Sequence, residues 1–118
     1  MDIKRYKTSP RMSKAVINNG IAYLCGQVAG NYIDNIEDQT KKTLKNVENI
    51  LHEIGSNKDH ILSAQVFLAR REDVGGMNKV WIEFINEEHA PARATVCVDF
   101  PNPDILVEIV VTAKIIED

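Results

Sequence analysis

The sequence predicts an α+β domain in which a mixed sheet carries two helices on one of its faces. Three observations support this fold class: a turn of two asparagines and a glycine between short apolar segments, two longer segments with helical spacing of apolar residues, and two β-rich segments near the end of the chain. The predicted order is ββαβαββ, with a further strand over residues 3–6 as an option. A chain of 118 residues suffices for one hydrophobic core, so residues 1–118 are interpreted as a single domain.

The first two strands lie in "KAVINNGIAYLCGQV", on either side of Asn18, Asn19 and Gly20. Asparagine and glycine tolerate the positive φ angles that a tight hairpin turn requires. We therefore expect an antiparallel hairpin at this point of the chain.

Apolar periodicity predicts both helices. The first extends from Ile36 to Ile54, and Gly55 follows it as a helix-ending glycine. The second lies in "REDVGGMNKVWIEFINEEH", with Asp73 as its N-cap. Its expected buried stripe consists of Val74, Met77, Trp81, Phe84 and Ile85.

The remaining apolar segments predict strands. "ILSAQVFLA", between the helices, is a strand of about nine residues, and "ARATVCVDF" and "DILVEIVVTAKII" follow the second helix. We expect these last two to pair as a hairpin across the proline-containing turn at residues 101–104. Because they are apolar on both sides, the face of the sheet without helices is expected to form a homo-oligomer contact.

Composition excludes several function classes. With 14 basic and 17 acidic residues, the net charge of -3 gives no general attraction to nucleic acid. Apolar runs are too short for a membrane span and the N-terminus lacks a signal-peptide core, so a cytoplasmic protein without a membrane partner is expected. Cys25 and Cys97 show no metal-binding spacing and are interpreted as small, buried, reduced side chains.

Glu108 is the unusual residue of the last strand, because it interrupts a run of Ile, Leu and Val. A buried carboxylate needs a partner or access to water. If the last two strands pair symmetrically about their turn, Glu108 lies opposite Cys97 and shares a face with Arg93 and Thr95. The pair would then either form an ordinary interface ion pair or hold a ligand, with Arg93 gripping a carboxylate and Glu108 activating a water.

Several motifs resemble the RidA family, also called YjgF, of reactive intermediate deaminases. They are "GQV" after the first hairpin, "TLKNVENIL" in the first helix, "MNKVW" in the second, and "PARATV" and "LVEIVVTA" in the last strands. The Pro-x-Arg motif and the glutamate fifteen residues later are the most specific part, met here by Arg93 and Glu108. "MNKVW" and "NPDILVEI" are closer to a YoaB-like branch of the family.

The resemblance implies a chorismate-mutase-like fold and a homotrimer whose sheets form a central barrel, with active sites between subunits. It implies hydrolysis of enamines and 2-imino acids, such as 2-aminoacrylate, to 2-oxo acids and ammonia, without metal or cofactor. Arg93 would bind the substrate carboxylate and Glu108 would position the attacking water. Thr95 would offer backbone groups to the substrate, and Asn78 and Gly26 would line the cleft.

Two positions depart from the family pattern. Typical members have a tyrosine near Met12 and a serine or threonine near Cys25, so the cleft expected here is less polar and suits a different or bulkier imine, or supports weaker catalysis. One alternative is a non-catalytic trimer that binds small carboxylates or acts as a chaperone-like module. A less favoured alternative is an endoribonuclease or translation inhibitor, which the acidic net charge and the lack of a paired histidine oppose.

Overall fold

The computed structural model describes residues 2–32 and 35–116. Within these ranges the elements follow one another as β1 (Lys4–Tyr6), β2 (Ala15–Asn18), β3 (Ile21–Leu24), α1 (Ile36–Ile54), β4 (Ile61–Leu68), α2 (Val74–Phe84), β5 (Ala92–Cys97) and β6 (Val107–Lys114). The optional strand at residues 3–6 is therefore present as β1. The predicted domain of residues 1–118 also includes residues 1, 33, 34, 117 and 118, which lie outside the described residues.

The predicted N-terminal hairpin is confirmed. Strands β2 and β3 pair antiparallel, with Asn18 opposite Ile21, and β1 extends the sheet on the far side of β2. Asn19 and Gly20 have φ angles of 54° and 77°, the two consecutive left-handed residues of a two-residue hairpin turn.

The predicted bounds of α1 are confirmed at both ends. The side chain of Asn35 caps the first turn by accepting a hydrogen bond from the Asp38 amide. Gly55 ends the helix in the left-handed conformation, with a φ angle of 90°, and its amide hydrogen-bonds to the last turn. The apolar face of α1 packs onto the sheet through Leu44, Val47, Ile50 and Leu51.

Helix α2 starts after Asp73, as predicted, but the Asp73 side chain does not cap it. Its carboxylate instead accepts a hydrogen bond from Nε of Arg70 at 3.0 Å. The buried stripe of α2 comprises Met77, Val80 and Trp81, whereas Val74, predicted to be buried, is 36% exposed. The stripe is thus centred nearer the middle of the helix than the pattern predicted.

The expected pairing of the last two strands is wrong. The order across the sheet is β1-β2-β3-β6-β4-β5, so β4 lies between β5 and β6. Strand β5 is parallel to β4 because α2 returns the chain to the same end of the sheet, while β6 runs antiparallel to β4 on its other side. The segment that joins β5 to β6 passes the end of β4, with the Val98 amide bonded to Leu68 and the Ala69 amide bonded to Leu106.

Both helices cover one face of the sheet, as predicted, and the core lies between them and the strands. On β6 this helix-facing side carries Val107, Ile109, Val111 and Ala113, all buried. The other face, called here the open face, includes Tyr23 and Val96, each 50% exposed.

Cys25 is only partly buried and Cys97 is exposed at an edge of the sheet, which corrects the expectation that both are buried. No helix in the described ranges is long and apolar enough to cross a bilayer.

A buried glutamine fixes the start of β6. Gln39 on α1 is fully buried, donates to the carbonyl of Asp104 at 3.2 Å and accepts from the Leu106 amide at 3.0 Å. These hydrogen bonds satisfy backbone groups that lack a strand partner. They anchor the chain immediately before β6, the strand that carries Glu108.

Candidate active site

Arg93 lies on the helix-facing side of β5. Its register partner on β4 is Ala64, which is buried against the helices. The guanidinium stacks over Trp81, with Cζ 5.2 Å from the ring centroid, and Nη1 is 3.9 Å from Sδ of Met77. Partial burial lowers the pKa of Arg93 from its usual value, but a guanidinium stays charged at neutral pH.

No carboxylate neutralises Arg93 within the part of the chain that the structure describes. Apart from the Nη1 donor that points to Met77, its N–H groups have no partner among the described residues and can bind an external anion. A planar carboxylate matches their geometry. Thr95 follows two residues later on the same side of β5, and Asn78 on α2 is the neighbour of Met77. The Thr95 hydroxyl is buried without a hydrogen-bond partner among the described residues.

Glu108 lies on the open face of β6. Its register partner on β4 is Phe67, and Phe67 in turn pairs with Val96 on β5, so an apolar row extends from Glu108 to the edge of the sheet. The side chain is partly buried, and in the described residues its carboxylate has neither a hydrogen bond nor an ion-pair partner. A carboxylate held in this way can take a proton from water.

Gly26 lies directly against the Glu108 side chain. A methyl group placed on Gly26 would come within 2.8 Å of Cδ of Glu108, closer than atoms can pack. The approach arises from a bulge after β3: Tyr23 pairs with Thr112 but the next bridge joins Gln27 to Ile109, four residues on one strand against three on the other. The structure therefore brings Gly26 and Glu108 together.

Cys25 precedes Gly26 in the chain and is linked by its backbone to the loop that carries Met12. The Gln27 side-chain amide donates to the Cys25 carbonyl at 3.2 Å and contacts its Sγ at 3.3 Å. The Cys25 amide donates to the carbonyl of Lys14, at the end of the loop that carries Met12. Met12 itself is 53% exposed. Neither side chain offers the hydroxyl group that the family pattern leads one to expect.

Arg93 and Glu108 do not share a face of the sheet, which corrects the expectation drawn from a hairpin. Arg93 pairs through Ala64 with Val111, on the helix-facing side, whereas Glu108 is three residues from Val111 and points to the open face. Arg93 and Glu108 are separated by two strand spacings across the sheet, which is about 10 Å, and by three residues along the strands, which is also about 10 Å. One copy of the chain therefore cannot place both side chains on one small ligand.

The sequence matches the family described as Endoribonuclease L-PSP over residues 3–115. The chain belongs to this family. Its members include proteins named for RutC, YjgF and Rid, so the predicted RidA/YjgF family membership is confirmed.

Relatives in the YjgF/RutC family match nearly the whole chain. A RutC family protein of Haemophilus influenzae is 41% identical over 114 residues, which cover 96% of this chain and 98% of the relative. The RutC family protein YoaB of Escherichia coli is 38% identical and covers 98% of this chain and 100% of its own length, in agreement with the predicted YoaB-like branch. NMB1025 of Neisseria meningitidis, a solved YjgF family member, has a TM-score of 0.96 and 36% identity, with 100% of this chain and 98% of that chain covered.

The structure adds contacts to the family motifs that sequence reasoning missed. The apolar pattern of α2 predicts only core packing for Trp81 and Met77, yet both contact Arg93. Trp81 and Met77 lie three and seven residues before the end of α2. The sequence cannot predict their contact with Arg93, because the contact depends on where β5 lies relative to α2.

The histidines have other partners: His60 bonds to Asn57 and His89 lies 3.6 Å from Asp59. Among residues 2–32 and 35–116 no cluster of three or more potential metal ligands occurs.

Replacing Gly26 with alanine is expected to displace the Glu108 side chain, because the new methyl group would occupy its place. We expect the reaction rate supported by the site to fall by about 10-fold or more, because small misplacements of a reacting group have large effects on rate. Thermal unfolding of the variant, compared with Gly75→Ala, checks that the fold is retained. Gly75 is the control because a methyl group there meets no other atom within 4 Å. Unchanged function in Gly26→Ala would contradict the prediction.

Proposed function

We propose that this YjgF/RutC family protein hydrolyses reactive 2-imino acids and their enamine forms to 2-oxo acids and ammonia. The observation that carries the proposal is a pair of charges that no described residue compensates: the Arg93 guanidinium has no acidic partner, and the Glu108 carboxylate has no basic partner, within residues 2–32 and 35–116. Family membership supports it through the motif that contains both residues. A 2-imino acid has the matching groups, a carboxylate and a C=N carbon that water can attack.

Arg93 binds the substrate carboxylate. Two parallel N–H···O bonds between guanidinium and carboxylate fix both the position and the orientation of the substrate. Asn78 and Gly26 line the cleft, and backbone groups of Thr95 contact the substrate. Met12 and Cys25 make the cleft less polar, so imines with apolar side chains are the favoured class.

Glu108 positions and deprotonates the attacking water. The water oxygen forms a bond to the imine carbon while the C=N π pair moves to nitrogen, and Glu108 accepts the water proton. Glu108 then returns this proton to nitrogen, which gives the neutral carbinolamine. As the C=O bond forms, Glu108 accepts the hydroxyl proton and passes it to nitrogen, the C–N bond breaks, and ammonia leaves. Water is the only co-reactant, because the oxidation state of the carbon does not change. General acid–base assistance of this kind contributes about 100- to 10,000-fold to rate.

We propose further that the site is completed by a second copy of the chain in a homotrimer. Arg93 lies on the helix-facing side of one sheet and Glu108 on the open face, so the arginine of one copy can meet the glutamate of the next. The open face carries half-exposed Tyr23 on β3 and half-exposed Val96 beside Phe67 on β5 and β4, and contact with a second copy would remove this apolar surface from water. A closed ring of three copies buries these faces in a central barrel and forms three equivalent sites.

The two alternative functions, a carboxylate-binding module and an endoribonuclease, have weaker support. A module that only binds carboxylates would need Arg93 but has no use for Glu108, whose carboxylate has no partner in the described part of the chain. An endoribonuclease, as the family description reads, would have to bind a polyanion with a chain of net charge -3. Its base catalysis would also lack a free histidine pair, since His60 and His89 are engaged with Asn57 and Asp59.

The proposal is tested by measuring ammonia and 2-oxo acid release from imines generated in situ by an amino-acid oxidase. Imines of several amino acids, from small to large apolar and charged, are compared at equal oxidase activity. The expected result is release faster than the spontaneous rate, with apolar side chains preferred. Release at the spontaneous rate for every imine would overturn the deaminase and favour the binding module.

A further inference from the structure

Trp81 and Met77 form a cradle beneath Arg93. We propose that Trp81 is the positioning residue of the site: with Met77 it holds the Arg93 guanidinium in place for the substrate carboxylate and reports ligand binding through its fluorescence. This inference rests on the proposed function, because it assigns the support of the carboxylate-binding group. Neither residue contacts the reacting atoms in this assignment.

Among the described residues, the Arg93 side chain makes its hydrogen bond and its cation–π contact with this cradle. Cζ lies 5.2 Å from the centre of the Trp81 ring, within the range of a cation–π interaction, and tryptophan is the strongest aromatic partner for a cation. Sδ of Met77 is 3.9 Å from Nη1. An arginine side chain has several rotatable bonds, so without these contacts its charged end would sample many positions.

A cradle made of a ring and a thioether has a chemical advantage over an ordinary ion pair. Arg70 shows the alternative: its Nε donates to the Asp73 carboxylate at 3.0 Å, which uses a donor and neutralises the charge. Trp81 and Met77 carry no charge, so they hold Arg93 without neutralising it, and only an Nη1 donor is engaged, by the Met77 sulfur. The full charge and the remaining N–H donors are then available to a ligand.

The cradle is rigid because α2 is packed tightly. Met77 is fully buried and Trp81 is only 8% exposed. One residue before Met77, Gly76 lies against α1 so closely that a methyl group on it would be 2.7 Å from Cγ2 of Ile36. The indole ring therefore has a fixed position relative to the sheet, as a support for a binding group requires.

Steady-state kinetics of Trp81→Leu and Trp81→Phe test the assignment. For an imino acid that the wild type hydrolyses, we expect Trp81→Leu to raise KM by about 10-fold with kcat within about 2-fold, and Trp81→Phe to restore most of the KM. Phe84→Leu is the matched control, because Phe84 is also an aromatic residue of α2 with a cation over its ring, Lys58 at 5.1 Å. An unchanged KM in Trp81→Leu, or an equal rise in Phe84→Leu, would overturn the inference.

Fluorescence gives a test that does not require turnover. Trp81 is the single tryptophan of the chain, so its emission reports on this position alone. Titration with 2-oxobutanoate is expected to change the emission in a saturable way, and the change should be absent with 2-oxobutanamide and in Arg93→Ala. The same response in Arg93→Ala, or none in the wild type, would refute the cradle. If the wild type hydrolyses no imine, the proposed function fails, and this titration still decides the role of Trp81.

Discussion

Replacing Arg93 with alanine is expected to cause a large loss of imine hydrolysis. Removing one partner of a desolvated charge pair costs about 2–5 kcal/mol, which corresponds to about 30- to 5,000-fold in kcat/KM. The loss should fall on binding as well as on turnover, because Arg93 is the group that holds the substrate carboxylate in the proposed site. The measurement is kcat/KM with the best imine of the wild type, together with binding of 2-oxobutanoate.

Arg71→Ala is the control for this substitution. It removes the same charge from an exposed position just before α2. The oligomeric state of both variants is compared by sedimentation, so that loss of assembly is not mistaken for loss of substrate binding. If Arg93→Ala retains the kcat/KM of Arg71→Ala, the assignment of Arg93 as the carboxylate-binding residue is wrong.

Replacing Glu108 with glutamine is expected to separate catalysis from binding. Glutamine keeps the size of the side chain and fits beside Gly26, but it cannot accept a proton from water. We therefore expect kcat to fall by about 100- to 10,000-fold while the affinity for 2-oxobutanoate stays within about 2-fold. Glu83→Gln, at an exposed position on α2, serves as the charge-matched control. Loss of binding in Glu108→Gln equal to that in Arg93→Ala would refute the division of roles.

The two variants together test the proposed site between copies. Mixed trimers are made by co-expressing Arg93→Ala and Glu108→Gln chains with different tags. If each site takes its arginine from one copy and its glutamate from the next, every mixed trimer contains one intact site, and random assembly restores about one quarter of the wild-type activity. If both residues act within one copy, mixing restores none.

The fold could be predicted from the sequence where short stretches decide the structure. The left-handed turn at Asn19 and Gly20 and the end of α1 at Gly55 depend on φ angles that few residues adopt. The bounds of α1 follow from apolar spacing and its caps. Glu108 is a candidate because it interrupts an apolar run, and the family motif adds Arg93 and Glu108 as a pair; the match over residues 3–115 confirms the family.

Strand neighbours and side-chain directions could be decided only by the tertiary structure. A proline-containing turn between two apolar segments predicts a hairpin, yet β4 offers two edges and takes both segments as partners. The crossover through α2 makes β5 parallel to β4, and this places Arg93 on the helix-facing side with Trp81. Likewise, the bulge that brings Gly26 to Glu108 exists only once β3 pairs with β6.

By itself, therefore, the sequence determined the local elements, the family and the two charged residues on which the proposed chemistry depends. The tertiary structure decided that these two residues lie on opposite faces of the sheet and that Trp81 supports one of them. This difference arises from the sequence separation of the residues that interact. Turns, caps and helical faces depend on residues a few positions apart, whereas strand pairing depends on distant segments that compete for the same sheet edge.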